Sequence, residues 1–283
     1  MKVGITGVRG FIGSNVAQRF RDRQIEVVDL DSLLRDSEQI HTTVRLDWVL
    51  HFAAITSITD AFKKPGFIYR NNLEATLKSL ETAIMSQSRF LYMSSYVYGH
   101  PRYLPIDELH PTEALNPYMG SKLAGEIMSN QLCAQHDIPC VILRGFNIYG
   151  DSHHKGRLIS DMLEAARQQR PIIVNDPIPM RDYLYINDFL SLIDKIVDKS
   201  PVPSGIYNVG YGEAFANIDV ARLFCNLIRV DYPIEVGSTS RRNDVNEIYA
   251  DRRLLSQTFS WEPQYSLERG FKELLQSIEI RGK

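Results

Sequence analysis

The sequence predicts an α/β fold in which a doubly wound parallel sheet carries helices on both faces, with a smaller α/β domain towards the C-terminus. Two observations predict this fold. Short β-favouring runs alternate with helical patterns up to about residue 170, and a glycine-rich stretch separates the first strand from the first helix. Parallel strands joined by right-handed helical crossovers produce such an alternation.

The elements of the first half follow one another in a regular order. We predict strands at residues 2–6, 25–30, 48–54, 90–94 and 140–144, and helices near residues 12–22, 70–85 and 117–136. Beyond about residue 145 the alternation loosens, and helical patterns return near 156–169, 187–198, 216–228 and 266–277. We therefore expect residues 1–150, with returns near 181–200, to form the first domain, and residues 151–283 to form the second. The second domain is expected at the carboxyl edge of the sheet, where open α/β sheets bind ligands.

Length and composition describe an ordinary globular protein. The 283 residues suffice for one large domain or two smaller ones, and the hydrophobic and charged fractions of 44% and 23% argue against disorder. A formal net charge of -2 gives no reason to expect nucleic acid or an anionic membrane as a partner. We expect no signal peptide and no membrane span, because the apolar runs are too short. The spacing of Cys133, Cys140 and Cys225 suits neither a metal site nor a disulfide framework, so we expect a reduced, cytoplasmic protein.

A glycine-rich turn lies between the first predicted strand and the first predicted helix. Residues 7–13 read GVRGFIG, with a glycine at every third position. Such glycines permit a tight turn and allow backbone N–H groups at the positive end of the helix to approach a pyrophosphate. A glycine triplet alone is a weak signal, but its position here predicts a Rossmann-type dinucleotide-binding site. The residues of this turn expected at the site are Gly7, Arg9, Gly10, Phe11, Ile12 and Gly13.

Asp31 follows directly after the second predicted strand, close to the offset of about 20 residues expected for a ribose-binding carboxylate. A carboxylate accepts a hydrogen bond from the ribose 2′-hydroxyl and repels a 2′-phosphate, so Asp31 favours NAD over NADP. Asp29 is a competing candidate, although its place in the alternation makes it the weaker one. Arg9 keeps NADP open, because a guanidinium in the turn can pair with a 2′-phosphate.

The stretch PYMGSKLAGE at residues 117–126 predicts a proton-transfer site. It places Tyr118 and Lys122 four residues apart at the start of a helix, so both side chains lie on one face. A phenol has a pKa near 10, but a nearby ammonium group and bound NAD⁺ stabilise the phenolate. This spacing occurs by chance in many helices, and the glycine turn and acidic strand end give it meaning. Ser94 ends a neighbouring strand, where its hydroxyl can hold the substrate oxygen.

Motifs spread over nearly the whole chain resemble those of the extended short-chain dehydrogenase/reductase family, the group that contains UDP-galactose 4-epimerase and the nucleotide-sugar reductases and dehydratases. The motifs are TGVRGFIGS (6–14), HFAA (51–54), NNLEAT (71–76), SSYVYG (94–99), NPYMGSKLAGE (116–126), RGFNIYG (144–150), RDYLYI (181–186) and YNVG (207–210). The resemblance implies a Rossmann domain for NAD or NADP and a C-terminal domain for a nucleoside-diphosphate sugar. It also implies a homodimer, for which the helices at 70–85 and 117–136 are candidates.

The resemblance also assigns roles to individual residues of this sequence. It implies Tyr118 as the acid/base, Lys122 as the residue that tunes it, and Ser94 as the hydroxyl that polarises the sugar oxygen. The residues implied at the cofactor are Phe52, Ala53, Ala54, Asn72, Tyr118 and Lys122. The residues implied at the substrate are Ser95, Asn147, Arg181 and Arg242, with Arg241 as the alternative to Arg242. Arginine suits a diphosphate because its planar fork makes two hydrogen bonds to phosphate.

Two departures from the family pattern narrow the reaction. Only residues 32–50 separate Asp31 from His51, whereas relatives fit a further strand and helix there, with an Asp that holds adenine. The cofactor is therefore expected to be more exposed and exchangeable. Ser95 and Tyr96 stand where the family's 4,6-dehydratases carry acidic residues, and Tyr96 stands where its 3,5-epimerase/reductases carry a cysteine base.

These departures leave hydride transfer at C4 of a nucleoside-diphosphate hexose. A 4-keto (or 4-keto-6-deoxy) sugar reductase is slightly favoured, because an epimerase benefits from a cofactor that never leaves and the adenine side here is cut back. The alternative is a nucleotide-sugar 4-epimerase, which oxidises C4 and returns the hydride to the other face. A non-catalytic nucleotide-binding regulator is a remote third hypothesis, since it need not keep Ser94, Tyr118 and Lys122 together.

Overall fold

A computed structural model describes residues 1–35, 45–151, 156–228, 233–237 and 245–277. The strands in these ranges are β1 (Lys2–Thr6), β2 (Glu26–Asp29), β3 (Trp48–His51), β4 (Arg89–Ser95), β5 (Cys140–Gly145), β6 (Asn147–Tyr149), β7 (Ile172–Val174), β8 (Met180–Tyr185), β9 (Gly205–Val209), β10 (Ala214–Ala216), β11 (Ile234–Val236) and β12 (Glu247–Ile248). The helices are α1 (Phe11–Asp22), α2 (Leu30–Arg35), α3 (Ile58–Lys63), α4 (Pro65–Ser86), α5 (Pro117–Gln135), α6 (Leu158–Arg167), α7 (Ile186–Asp198), α8 (Asn217–Ile228), α9 (Arg253–Phe259) and α10 (Leu267–Ser277).

Six parallel strands form the main sheet in the order β2-β1-β3-β4-β5-β9. Successive strand residues point to opposite faces, so one strand serves two cores. In β4, Phe90 packs with residues of α4 and α5, whereas Leu91 packs with residues of α1 and α7. Helices therefore cover both faces, and the doubly wound Rossmann-type α/β fold predicted from the sequence is confirmed.

The short segment 32–50 follows β2, the strand at one edge of the main sheet. The chain passes from β2 directly into α2, and Asp31 lies in the first turn of this helix. The next described strand, β3, pairs with the opposite side of β1. Among the described residues, β2 is therefore the outermost strand at this edge.

The C-terminal part builds smaller sheets beside the main one. One contains β10, β8 and β12, with β6 pairing to β8, and another pairs β11 with β7. Helix α7 returns to the main sheet, where Asp194 forms ion pairs with Arg19 of α1 and with Arg23, the C-cap of that helix. Strand β9 also joins the main sheet, beside β5, although it lies beyond the returns expected near 181–200. The domain boundaries stay a prediction. In the ranges described, no helix is both long and apolar enough to cross a membrane.

Candidate active site

The glycine turn lies at the carboxyl end of β1 and requires its glycines for steric reasons. Gly7 adopts a φ of +75°, and a Cβ there would lie 2.8 Å from the backbone nitrogen of Ala53. A Cβ on Gly13 would lie 2.1 Å from the carbonyl oxygen of Gly7. Gly10 donates its N–H to the Gly7 carbonyl at 2.8 Å and stands at the N-cap of α1, where it has no side chain to occupy the helix terminus. The turn therefore leaves a backbone-lined cradle that fits a pyrophosphate.

Asp31 lies against this turn, as its position after β2 predicted. Its carboxylate accepts hydrogen bonds from the backbone N–H groups of Gly7, at 2.8 and 3.0 Å, and Val8, at 3.1 Å. The carboxylate is thereby fixed beside the cradle, while Arg9 is exposed. The roles of Asp31 towards a ribose and of Arg9 towards a phosphate stay predictions.

Asn72 joins the cofactor side of the cleft to the start of α5. Its side chain accepts a hydrogen bond from the Ile55 N–H at 2.8 Å and donates to the Ser121 hydroxyl at 2.9 Å. Ser121 in turn donates to the carbonyl of Tyr118 at 2.7 Å. These hydrogen bonds therefore connect Tyr118 to the loop that carries the half-buried residues Phe52, Ala53 and Ala54. This placement fits the supporting role that the sequence predicted for Asn72.

Tyr118 lies in the first turn of α5, which is fixed by its own N-terminal residues. Asn116 caps the helix by accepting the Met119 N–H at 2.9 Å, and Pro117 occupies the first helical position, where its missing N–H costs nothing. Burial raises the pKa of the Tyr118 phenol, while the Arg157 guanidinium and a hydrogen bond with Ser95 act to lower it. The phenol is thus protonated at neutral pH in the cofactor-free protein.

Lys122 lies one helical turn below Tyr118 and is 2% exposed. Its ammonium group sits over the ring of Tyr92, 4.2 Å from the centroid. Burial lowers the pKa of Lys122 to about 7, and the charge of Glu126 acts in the opposite direction. The tuning of Tyr118 by Lys122 stays a prediction, because the groups that lower the Tyr118 pKa in this structure are Arg157 and Ser95.

Ser94 and Ser95, the last two residues of β4, have different partners. The Ser94 hydroxyl donates to a carboxylate oxygen of Glu126 at 2.5 Å and is 3% exposed, whereas Ser95 is half-buried and acts to lower the pKa of Tyr118. The sequence offset assigns the hydroxyl that holds the substrate oxygen to Ser94, and that role stays a prediction. Neighbouring residues of a strand point in opposite directions, so the two hydroxyls have different surroundings.

Residues around the reacting groups complete the cleft. Tyr96, which stands where dehydratases carry a carboxylate, stacks on Phe146 with ring centroids 5.5 Å apart. Asn147 of β6 donates to the Asp182 carbonyl of β8 at 2.9 Å, and the neighbouring Arg181 is 8% exposed. Arg241 and Arg242 lie outside the described residues. Sequence reasoning missed Arg157 and Glu126, since Arg157 belongs to no motif and Glu126 is identified only by continuing the four-residue spacing of Tyr118 and Lys122.

A doubly wound sheet with a glycine cradle at one strand end, and a tyrosine and lysine at the start of a helix beside another, is typical of nicotinamide-dinucleotide-dependent enzymes. Comparison with known proteins identifies the group within this class. The model of the NAD dependent epimerase/dehydratase family matches residues 3–210, and the chain belongs to that family.

Relatives of known name resemble the chain over nearly its whole length. It is 27% identical to a UDP-glucose 4-epimerase of Halalkalibacterium halodurans, over 95% of this chain and 92% of the relative. Among solved structures, a Thermotoga maritima UDP-glucose 4-epimerase with UDP-glucose superposes with a TM-score of 0.85 at 22% identity, covering 98% of each chain. The structure of RMD from Pseudomonas aeruginosa complexed with NADPH superposes with a TM-score of 0.84 at 24% identity, covering 97% of each chain. These structures share the fold of this protein.

Proposed function

We propose that the protein is an NAD-dependent enzyme acting at C4 of a nucleoside-diphosphate hexose, and that its net reaction is 4-epimerisation. The observation that carries the proposal is Tyr118 held in the capped first turn of α5, with Ser94 and Ser95 ending the neighbouring strand β4 and Tyr96 in the place of a dehydratase carboxylate. The similarity to a UDP-glucose 4-epimerase over 95% of the chain supports epimerisation, whereas the sequence alone slightly favoured net reduction.

The residues of the cleft supply the proton chemistry of this reaction. A nicotinamide dinucleotide held at the glycine turn would supply reversible hydride acceptance at sugar C4. The ionised form of Tyr118 would remove the proton of the C4 hydroxyl as the C4–H bond breaks, and the oxygen of the resulting C4 carbonyl would accept a hydrogen bond from Ser95. Once the keto sugar has turned over in the cleft, Tyr118 would return the proton to the C4 oxygen as the C4–H bond re-forms on the opposite face. No net oxidation or reduction results.

A net 4-keto reductase is the second candidate, and the edge at β2 favours it. The segment between Asp31 and His51 is only residues 32–50, so we propose that the adenine end of a cofactor has less protein around it than the family pattern implies. A reductase needs its oxidised cofactor to leave after each turnover, and an open edge makes departure easy. Asp31, fixed beside the cradle, supports NAD as the cofactor of either reaction.

Product analysis with and without added cofactor separates the two candidates. An epimerase interconverts UDP-glucose and UDP-galactose with no net change in NADH, and Tyr118→Phe abolishes the conversion. A reductase leaves both sugars unchanged and oxidises NADH or NADPH in proportion to a 4-keto sugar supplied. Native mass spectrometry adds a further test, because an epimerase is expected to retain NAD through gel filtration. Binding without turnover in every assay would contradict both enzymatic proposals.

The substrate's diphosphate is proposed to bind between the main sheet and the strand pair β6–β8. Asn147 and Arg181 lie on these neighbouring strands, where Asn147 pairs in register with Tyr183. An amide and a guanidinium so placed offer several N–H donors to phosphate oxygens. Arg181→Leu is expected to raise KM for a UDP-sugar more than it lowers kcat, because it removes binding rather than chemistry.

We also propose a homodimer that forms through α4 and α5. These helices pack against each other and expose apolar side chains outward, including Leu77 at 40%, Met85 at 52% and Ile127 at 62%. Exposed apolar side chains on two helices that pack together offer a surface for a protein contact. Ile127→Glu is expected to convert a dimer into a monomer in light scattering after size exclusion, and a monomeric parent protein would contradict the proposal.

A further inference from the structure

Glu126 lies beneath the proposed active site and takes no part in the proposed proton transfer. Tyr118, Lys122 and Glu126 occupy one face of α5 at four-residue intervals, so the helix carries them from the cleft down into the sheet. We propose that Glu126 is a positioning residue, whose buried carboxylate supplies a negative charge one helical turn below Lys122 and fixes Ser94 at the end of β4. The inference uses the proposed function only for its activity measurement.

The carboxylate of Glu126 meets a row of polar residues that crosses three strands. Ser94, Arg144 and Asn208 are register partners on β4, β5 and β9, and we call them the polar row. Glu126 accepts the Ser94 hydroxyl at 2.5 Å and three N–H contacts from Arg144 at 2.6, 3.0 and 3.2 Å. Such a two-pronged guanidinium–carboxylate pair sets the orientation of both side chains.

The polar row is anchored at its far end as well. Arg144 donates to the Tyr98 hydroxyl at 3.0 Å, and that hydroxyl donates to the Asn208 side-chain oxygen at 2.5 Å. Asn208 then donates to the carbonyl of Ile106 at 2.9 Å. Each side chain of this hydrogen-bonded series is therefore held by the next, and Glu126 is fixed in one orientation.

The burial of this ion pair argues for a role beyond stability. The side chains of Glu126 and Arg144 are 3% and 6% exposed. Buried ion pairs stabilise a fold no better than well-packed apolar residues of the same volume, because desolvation offsets their attraction. A charged pair placed directly below reacting groups acts on the charges of those groups.

The group most affected is Lys122. The other side chains described around it are neutral, or are kept from taking up a proton by the positive charge of Lys122. The phenol of Tyr92 lies against the ammonium group from β4, and burial raises the pKa of that phenol. His51 approaches from β3, where burial and Lys122 lower the pKa of its imidazole, and Thr76 of α4 contacts the other side of that ring. Tyr118 above is also a neutral phenol, so Glu126 is the group that acts to raise the pKa of Lys122.

Glu126 has a second consequence through Ser94. Because the Ser94 hydroxyl is bound to Glu126 on the interior side, the following residue of the strand turns towards the cleft. Ser95 is half-buried there and acts to lower the pKa of Tyr118. Loss of the carboxylate is expected to affect the charge of Lys122 and the orientation of Ser95 together.

The test follows the ionisation of Lys122 directly, by ¹³Cε NMR of lysine-labelled protein across pH, with the signal assigned by its loss in Lys122→Met. Glu126→Gln preserves size but removes the charge, and we expect the Lys122 titration midpoint to fall by about one pH unit or more. The pH at which kcat declines on the alkaline side is expected to fall in parallel. Asp194→Asn is the matched control, since it removes a carboxylate from an ion pair on the other face of the sheet.

The outcomes separate this inference from the proposed function. An unchanged Lys122 midpoint in folded Glu126→Gln overturns the inference. If that variant fails to fold, because Arg144 is left uncompensated, Glu126→Gln/Arg144→Met removes both charges and provides the same measurement. Recovery of the midpoint in Glu126→Asp supports the inference. A shifted midpoint in a protein without epimerase or reductase activity refutes the proposed function and leaves the role of Glu126 standing.

Discussion

Two regions of the molecule hold their charged groups in opposite ways. One is the floor of the site, which consists of Glu126 and Arg144 and the α5 residues above them, and the other is the edge of the sheet at β2. Beneath α5, Glu126 and Arg144 are buried and bind each other through three N–H contacts. At β2, Asp31 is half-buried against backbone N–H groups, and Arg9 points to solvent. Electrostatic interactions are strong where water is excluded and weak where it is not. We therefore expect large effects on chemistry from the floor and small effects on cofactor choice from the edge.

The largest effect is expected from Tyr118→Phe, in the first turn of α5. Removal of the phenolic hydroxyl deletes the acid/base, and kcat is expected to fall by about a thousandfold. Folding should persist, because the ring remains and Ser121 is held through the backbone of residue 118. Steady-state kinetics and cofactor binding by fluorescence check this together. A loss of less than tenfold would place the proton transfer elsewhere.

The two serines provide the sharpest test of the floor. Ser95→Ala is expected to lower kcat by about a hundredfold at unchanged stability, because Ser95 contacts Tyr118 at the cleft. Ser94→Ala is expected to lower the free energy of unfolding by about 1 kcal/mol with a much smaller loss of kcat, because its hydroxyl is bound to Glu126. Kinetics and urea unfolding of both variants decide the question. The reverse pattern would assign the hydroxyl at the substrate to Ser94, as the sequence predicts.

The third prediction concerns stability as a function of pH at Lys122. The pKa of Lys122 is about 7 in the folded protein and near 10.4 in an unfolded chain. Between these values the unfolded chain binds a proton that the native state lacks. The free energy of unfolding therefore rises with pH across this range, by up to about 1.4 kcal/mol per pH unit, and falls as the pH is lowered. Lys122→Met is therefore expected to be more stable than the parent at pH 7, with an advantage that shrinks towards pH 10. Urea unfolding at several pH values measures the difference, and a constant difference contradicts the prediction.

Much of the fold is predictable from the periodicity of apolar residues, because the residues of each strand themselves show how the strand is buried. The strands at 2–6 and 140–144 were predicted within one residue of β1 and β5. Short elements such as α2, α3 and β10 were not predicted, since they contain too few residues to show a period. The register of β6 against β8 depends on distant contacts that no local pattern records.

The candidate site was predictable where it depends on one segment and unpredictable where it depends on several. The glycine turn and the spacing of Tyr118 from Lys122 are local, and both were identified from sequence. The partner of Ser94 lies on another element, so its hydrogen bond to Glu126 could not be predicted from the offset alone. Arg157 reaches Tyr118 from the start of α6, a proximity that only the tertiary structure creates.

The smallest effect is expected at the β2 edge, where Asp31→Asn tests the choice between NAD and NADP. Asparagine keeps the size of the side chain but removes the charge that repels a 2′-phosphate, so the ratio of the Kd values for NADPH and NADH is expected to fall by about tenfold, equivalent to about 1.4 kcal/mol. Arg9→Gln is the complementary variant and should weaken NADPH binding alone if the guanidinium reads the phosphate. Isothermal titration of both cofactors measures the ratio without turnover. If Asp31→Asn weakens both cofactors equally, the carboxylate serves the Gly7 and Val8 backbone rather than the ribose, and the discrimination must come from Arg9.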